Sequence, residues 1–485
     1  MQSYKEPLLP RKLIPTASEK SSAQTMPALP RKPIPTVETN PLAASLPTLP
    51  RPSLLDTLSH ELKFSTDLYS HVVAHSHDSL PSDVAAGKMS LPTAILTFLK
   101  AMLGPLLLFA PHMFAEAGAL LAAVMLLIVG VLSMLGMSRL VEVQDALIGT
   151  AKGSSSTYAE VGGHAVGPIG FLLVESCLAV SQWLYCVGYP IFVARNMQYV
   201  LAAFLPAPPP LPLLTLIQLP ILIPYCWIRD LHYLGYPMLM ANVCLWGSLV
   251  IIFTLVGQAL VNNAAENTAP PLALARFGFG TLLFTAQAVV AFEGIGLVLP
   301  IRDAMSEPKR FPIVLIGCMT AGTCTLLLVG FSAYAAFGDG TATFVTLNIE
   351  GPLALGVRAA FSLAVILTYP LQLFPAVQAL EAQLGLLAPL PLNASGHERT
   401  VRLVWQCIAR TCLVCAAFAF ALYAPYDNLV GLAGGLCAVP LAFIFPGWFH
   451  LQVCKGGGKA LDLLLVGFGL VMAPVAVVAA IVSWR

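Results

Sequence analysis

A carboxylate inside an apolar stretch is the side chain of this sequence that is best placed to do chemistry. Glu293 is the only charged residue within residues 285–300, and Gly294, Ile295 and Gly296 follow it directly. Placing an ionisable group among apolar residues is costly, so such a residue is a functional candidate by default. Glycine also weakens a helix and lets backbone come close to a ligand. Glu293 therefore binds a substrate or carries a proton, or else it forms a structural hydrogen bond to unwound backbone.

A second irregular point lies in the apolar stretch 93–114, where Gly104 and Pro105 are adjacent. Proline has no N–H to donate and glycine lowers helix stability, so we expect the helix to break there. Open backbone groups at membrane depth require a protein-lined cavity. We therefore predict that Leu103, Gly104 and Pro105 contribute to a binding site.

Five further side chains are candidates, and each has a structural alternative. His112 follows Pro111 and titrates near neutral pH, so it is a second candidate proton acceptor or else a hydrogen-bonded structural histidine. A polar side chain in an apolar stretch either lines a cavity or joins two helices by a hydrogen bond. Three candidates of this kind are Gln182, Tyr185 and Tyr369. Phe292, next to Glu293, either gates the site or packs against a neighbouring helix.

The composition is typical of a membrane protein. Hydrophobic residues make up 57% of the chain, charged residues 10%, and the mean hydropathy is +0.80, whereas about 25% of a soluble domain is charged. The balance of 25 basic and 24 acidic residues argues against a nucleic-acid partner. Most of the 11 cysteines lie in apolar stretches, so we interpret them as buried apolar residues and predict no metal site.

We predict an all-α integral membrane domain over residues 93–483 with eleven transmembrane helices. Each helix must supply about 20 mainly apolar residues to cross a bilayer. The predicted spans are 93–114, 117–141, 166–194, 211–228, 233–261, 277–300, 312–337, 353–379, 401–423, 428–450 and 461–483.

The predicted breaks in helices 1 and 6 lie five helices apart. This spacing is typical of two inverted five-helix halves with a binding site at their interface, here followed by one additional helix. The N-terminus of a half-helix presents N–H groups that suit a carboxylate, and the C-terminus of its partner presents carbonyls that suit an ammonium group. The pattern favours a secondary transporter whose substrate is a zwitterion such as an amino acid.

Arg and Lys lie mainly in the loops on one side of the predicted topology, among them Arg139, Arg302, Lys309 and Arg310. The positive-inside rule then predicts a cytosolic N-terminus. Residues 1–88 are polar and Pro-rich, with related segments that start at Leu9, Leu29 and Leu49. We expect a disordered cytosolic tail, with a Pro-recognising partner or acidic lipid as the alternative.

Several motifs resemble those of the amino acid/auxin permease (AAAP) family, in particular its proton-coupled amino acid transporter branch. The matching segments are 292–305 (FEGIGLVLPIRDAM), 368–381 (TYPLQLFPAVQALE), 229–234 (RDLHYL), Arg410-Thr411 and 440–446 (PLAFIFP). The resemblance implies a LeuT-like fold of two inverted repeats and a site around helices 1 and 6. One departure lies in helix 1, where the branch has Lys-Gly-x-x-Gly-Thr-Gly and this chain has Lys100-Ala-Met-Leu-Gly-Pro-Leu106. In addition, Thr97 replaces a proton-linked histidine of several members.

The sequence thus predicts a secondary active transporter of small neutral amino acids in a plasma, vacuolar or lysosomal membrane. Proton symport by alternating access is the expected mechanism, and sodium coupling or facilitated exchange is the alternative within transport. A non-transporting amino acid sensor is the alternative of another class, favoured by Ala101, Pro105 and Leu106. The sequence contains no nucleophile–base set, so we expect neither an enzyme nor a cofactor.

Overall fold

A computed structural model of the chain describes residues 89–102, 105–148, 157–229, 231–387, 395–454 and 456–484. Leu103, Gly104 and the Pro-rich segment 1–88 lie outside the described residues, so the predictions made for them stay predictions. The described residues are almost entirely helical. Their α-helices are α1 (Leu91–Met102), α2 (Ala110–Ala117), α3 (Ala119–Ile148), α4 (Tyr158–Val166), α5 (Pro168–Ala202), α6 (Leu211–Leu216), α7 (Leu219–Cys226), α8 (Gly235–Glu266), α9 (Phe279–Ala291), α10 (Ile295–Ala304), α11 (Phe311–Phe337), α12 (Pro352–Gln383), α13 (Gly396–Ala421), α14 (Tyr426–Ala433), α15 (Phe445–Val453) and α16 (Lys459–Val482).

Nine segments of the described chain are long and apolar enough to cross a membrane. They overlap nine of the eleven predicted spans. The first and fourth predicted spans correspond to shorter apolar segments, Leu106–Ala117 and Leu211–Cys226. Large apolar side chains point outward along these helices; on α16, Leu470 is 59% exposed and Val471 is 62% exposed. Such a continuous apolar surface indicates contact with lipid.

Two of the predicted spans contain described backbone that is not α-helical. In the sixth, α9 ends at Ala291 and α10 begins at Ile295. In the first, α1 ends at Met102, and a 3₁₀ turn over Pro105–Leu108 precedes α2. The last turn of one helix and the first turn of the next leave backbone carbonyls and N–H groups without intrahelical partners.

The tenth predicted span contains two π-helical segments. Gly434–Ala438 and Pro440–Ile444 lie between α14 and α15. The Tyr158 hydroxyl, on α4, donates to the Leu441 carbonyl at 2.8 Å. A π-helical carbonyl bonds the N–H five residues on, and here that residue is Pro446, which has none. Tyr158 therefore supplies a donor to this irregular backbone.

Helices from distant parts of the sequence enclose the centre of the domain. The long helices α5 and α12 pack along each other, and α9 packs against both α14 and α16. At the terminus of α10, the Arg302 guanidinium donates to Gln144 at 2.6 Å and also to Asp145, which ties α10 to α3. The non-helical segment around Glu293 is thus held at both ends by packed helices.

Candidate substrate site

A cavity of about 600 Å³ lies between α5, the α9–α10 junction, α12 and α14. Its volume is within the range of about 300–1,000 Å³ that is usual for small-molecule sites. Six of the predicted site residues or their neighbours line it: Leu106, Gln182, Tyr185, Glu293, Gly294 and Gly296. Five of these residues were predicted for the site, whereas Leu106 only adjoins the predicted Pro105. The fold thus places predicted residues of the third and sixth spans beside one cavity.

Glu293 lies where α9 has ended and α10 has not yet begun. Its Oε1 accepts a hydrogen bond from the Ser181 hydroxyl at 3.4 Å. Its Oε2 is buried and has no hydrogen-bond partner among the described residues. One carboxylate oxygen is thus held by α5, while the other is free to interact with a ligand or to carry a proton.

The backbone beside Glu293 presents both kinds of polar group. The Glu293 N–H is bonded to the Val290 carbonyl and the Leu297 N–H to the Gly294 carbonyl, each in a short turn. The first N–H groups of α10 and the last carbonyls of α9 both border this junction. Such a junction suits a ligand that carries a carboxylate and an ammonium group together.

An amide and hydroxyl cluster also lines the cavity. The Gln372 side-chain amide, on α12, donates to Gln182 Oε1, and the Tyr189 hydroxyl donates to Gln372 Oε1 at 3.3 Å. The Tyr185 hydroxyl is buried without a partner among the described residues. Gln372 and Tyr189 were not predicted from the sequence, although a lone amide in an apolar span was an available signal.

Three predicted site residues do not line the cavity. Phe292 is 1% exposed, and its ring lies 3.0 Å from the place where a side chain on Gly130 would begin, so it faces α3. Ile295 is 2% exposed and belongs to the apolar core. Tyr369 is fully buried and packs against Tyr189 at 6.1 Å between ring centroids. Of Pro105 the structure describes only the backbone, which begins the 3₁₀ turn.

His112 lies outside the cavity, beyond an aromatic cluster. The rings of Phe109, Tyr426 and Phe344 contact one another in sequence, at 5.2 and 4.6 Å between centroids. Tyr426 also lines the cavity. His112 Nε2 is 3.4 Å from Asp427 Oδ1, and His112 Nδ1 is 3.3 Å from the Thr341 carbonyl. The aromatic cluster thus adjoins the cavity through Tyr426, and the His112–Asp427 pair joins α2 to α14 beside it.

The family match covers nearly all of this helical domain. Residues 87–483 match the family described as transmembrane amino acid transporter protein. The chain belongs to this family, the amino acid/auxin permeases. Membership agrees with the resemblance found in segments 292–305 and 368–381, and it makes this chain a multi-pass membrane protein.

Curated relatives of this family member include fungal and plant proteins. It is 27% identical to vacuolar amino acid transporter 4 of Saccharomyces cerevisiae over 81% of its own length and 58% of that protein. It is 28% identical to vacuolar amino acid transporter 3 of Schizosaccharomyces pombe over 79% of its own length and 57% of that protein. The chain thus spans a little over half the length of these relatives. With amino acid transporter ANT1 of Arabidopsis thaliana it shares 25% identity over 93% of the relative.

Solved structures support the fold. The inward-facing conformation of Mhp1 superimposes with a TM-score of 0.54 and 12% sequence identity, over 82% of this chain and 91% of Mhp1. A closed conformation of Mhp1 gives a TM-score of 0.50. At this identity the similarity concerns the fold alone, and it agrees with the LeuT-like architecture predicted from the sequence.

Proposed function

We propose that this family member is a secondary active transporter that moves small neutral amino acids by alternating access, coupled to protons. The observation that carries the proposal is the single cavity lined by the Glu293 carboxylate, the α9–α10 junction and the Gln182–Gln372 amide pair. Family membership and the names of the relatives support the amino acid as substrate. A transporter needs no catalytic group, which agrees with our expectation that the protein is not an enzyme.

The geometry suggests a role for each wall of the cavity. The N–H groups at the start of α10 hold the substrate carboxylate, and the carbonyls at the end of α9 hold its ammonium group. Glu293 Oε2, which has no partner among the described residues, takes up the coupled proton. Gln182 and Tyr185, which line the cavity, contact the substrate side chain.

The same proposal includes the full predicted topology: eleven spans, two inverted five-helix repeats and functional breaks in helices 1 and 6. Pseudo-symmetry would place both breaks at the repeat interface, where alternating access requires the site. The aromatic cluster at Tyr426 and the His112–Asp427 pair close the site toward one side of the membrane. The predicted cytosolic N-terminus makes this the side away from the cytosol.

The vacuolar membrane is the proposed location, because the fungal relatives are named as vacuolar transporters. A plasma-membrane location remains the alternative. A Pro-recognising partner for residues 1–88 also remains a proposal that rests on the sequence repeat alone.

Flux measurements test this function directly. The full-length protein in proteoliposomes should accumulate a labelled small neutral amino acid when an inward proton gradient is imposed, without sodium. Gln372→Leu should weaken uptake because it removes the amide that positions Gln182, whereas Leu470→Ala on the lipid-facing side of α16 should not. Uptake that requires a sodium gradient rather than a proton gradient would support sodium coupling instead of proton coupling. Binding without flux for every amino acid tested would instead support the sensor.

A further inference from the structure

A narrow apolar groove lies on the outer surface of the helical domain, away from the substrate cavity. Its volume is about 340 Å³, and its walls are formed by one face of α13 and by Trp227 at the end of α7. On α13 the lining residues recur at helical spacing, in the pairs Leu403/Val404 and Cys407/Ile408, followed by Thr411. Residues three and four positions apart share one face of a helix, so the groove runs along the helix axis.

The polar atoms in the groove wall are satisfied within the protein. The Trp227 indole N–H donates to the Thr411 hydroxyl at 3.0 Å, and this hydroxyl donates to the Cys407 carbonyl at 2.7 Å. Leu403 and Ile408, each 44% exposed, form much of the remaining surface. The groove therefore offers a hydrocarbon-like lining and no hydrogen bond to a polar ligand.

The length of the groove matches one leaflet of a bilayer. Its lining on α13 extends from Thr400 to Cys412, which at 1.5 Å per residue is about 18 Å. A leaflet contributes half of a hydrocarbon core that is about 30 Å thick. An acyl chain that lies along α13 would thus be covered over most of its length.

Two arginines lie toward the end of the groove where α13 begins, and the exposed Glu398 on the same turn caps the helix by accepting from the Ser395 N–H at 2.9 Å. The Arg229 guanidinium donates to the Leu403 carbonyl at 3.1 Å and lies 3.9 Å from Cys407 Sγ, so it touches the groove wall. Arg399 is exposed on the first turn of α13. Neither arginine has a carboxylate partner among the described residues, in contrast to Arg310, which pairs with Glu307 at 2.9 Å. Asp230 lies outside the described residues.

A buried ion pair fixes the two walls relative to each other. Arg410, on α13, pairs with Glu381 of α12 at 2.7 Å, and both are nearly fully buried. Arg410 also donates to the carbonyls of Cys226 and Ile228 at 3.2 and 2.9 Å. These carbonyls belong to the end of α7, so Trp227, which lies between them, is held beside α13. The groove is therefore a fixed feature of the fold.

We propose that this groove binds one acyl chain of an anionic glycerophospholipid, whose headgroup phosphate lies against Arg229 and Arg399. The apolar lining accounts for the acyl chain, and two arginines without described carboxylate partners account for the negative headgroup. Basic residues at the membrane surface attract anionic lipid by about 1 kcal/mol each, which is about fivefold in affinity per arginine. The site is separate from the substrate cavity and does not depend on the proposed transport function.

Native mass spectrometry of the full-length protein in detergent tests this proposal. The probes are dioleoylphosphatidylserine, dioleoylphosphatidylcholine and glycerol 3-phosphate. The serine lipid should bind at least about fivefold more tightly than the choline lipid. Arg229→Gln should reduce this preference about fivefold, and the control Arg310→Gln should leave it unchanged. Leu403→Trp, which fills the groove, should weaken both lipids, while Leu470→Trp on the lipid-facing side of α16 should not.

Three results would overturn the proposal. The first is equal binding of the two lipids by the unmodified protein, which would mean that the charges play no part. The second is an unchanged preference in both Arg229→Gln and Arg399→Gln, since the headgroup would then bind elsewhere. The third is competition by glycerol 3-phosphate at the affinity of the lipid, which would identify an anion site without an acyl chain.

Discussion

Replacing Glu293 by glutamine separates the charge of this side chain from its shape. Glutamine keeps the size and an oxygen that can accept the 3.4 Å bond from Ser181. The oxygen that it replaces has no partner among the described residues, so no described hydrogen bond is broken. A typical hydrogen bond contributes about 1 kcal/mol to stability. The structural cost of Glu293→Gln should therefore be below ~1 kcal/mol, and any large loss of activity reflects the missing proton.

The expected functional effect is much larger than the structural one. A gradient of one pH unit corresponds to about 1.4 kcal/mol for each proton. A transporter that moves one proton with each amino acid can therefore concentrate its substrate about tenfold per pH unit. Without an exchangeable proton on residue 293, we expect no gradient-driven accumulation. Exchange of labelled for unlabelled amino acid at equal pH should continue, because the substrate contacts with the helix ends remain.

Proteoliposomes measure both quantities in one preparation. Accumulation is followed under an imposed pH gradient, and exchange is followed in vesicles preloaded with amino acid at uniform pH. Ser181→Ala is the matched control: it removes the hydrogen-bond donor to Glu293 and keeps the carboxylate, so accumulation should persist. Full pH-driven accumulation by Glu293→Gln, together with its loss in His112→Ala, would refute the assignment of the proton to Glu293. If both variants accumulate the amino acid normally under a pH gradient, Glu293 has only a structural role.

Two further predictions concern stability, measured by thermal or denaturant unfolding of the purified protein in detergent. A Cβ on Gly136 would lie 2.0 Å from the carbonyl oxygen of Ala442, so Gly136→Ala should lower the free energy of unfolding by about 1–3 kcal/mol. The control is Gly317→Ala, whose Cβ would have nothing within 4 Å and which should be neutral or slightly stabilising. An unchanged unfolding transition in Gly136→Ala would contradict this close helix contact. Glu381→Gln leaves the buried Arg410 without its carboxylate and should cost about 3–5 kcal/mol. A loss of unfolding free energy below ~1 kcal/mol would mean that the carbonyls of Cys226 and Ile228 are enough to stabilise the buried Arg410 guanidinium.

The predicted residues that line the cavity have a signal that does not depend on the fold. Glu293 is a charge in an apolar run, and Gly294 and Gly296 weaken the helix beside it. Gln182 and Tyr185 are polar residues in an apolar span, and the structure brings them to the same cavity. Each of these signals is read from a short window. The sequence could therefore name them without knowledge of which helices become neighbours.

For the predicted residues that do not line the cavity, a short window of sequence is not sufficient. Phe292 and Ile295 adjoin Glu293 and Gly294 in sequence, but neighbouring residues point in different directions, and both of these side chains belong to the apolar core. Tyr369 and Gln372 lie in one span of α12, and a single sequence does not say which of them faces α5 across the cavity and which packs into the core. That choice depends on the rotation of α12, which is set by its packing against α5 and α8.

The position of His112 separates the two hypotheses for the coupled proton. Glu293 and the proposed substrate share one cavity, so a proton on Glu293 can change substrate affinity directly, and the substrate changes proton affinity by the same factor. His112 lies beyond Phe109 and Tyr426 and interacts with Asp427 and the Thr341 carbonyl. A proton on His112 would strengthen its contact with Asp427 and so favour the closed form of that end. Under the first hypothesis Glu293 would couple protons to binding, and under the second His112 would couple them to closure. Only the first predicts that substrate affinity itself changes with pH when closure is prevented.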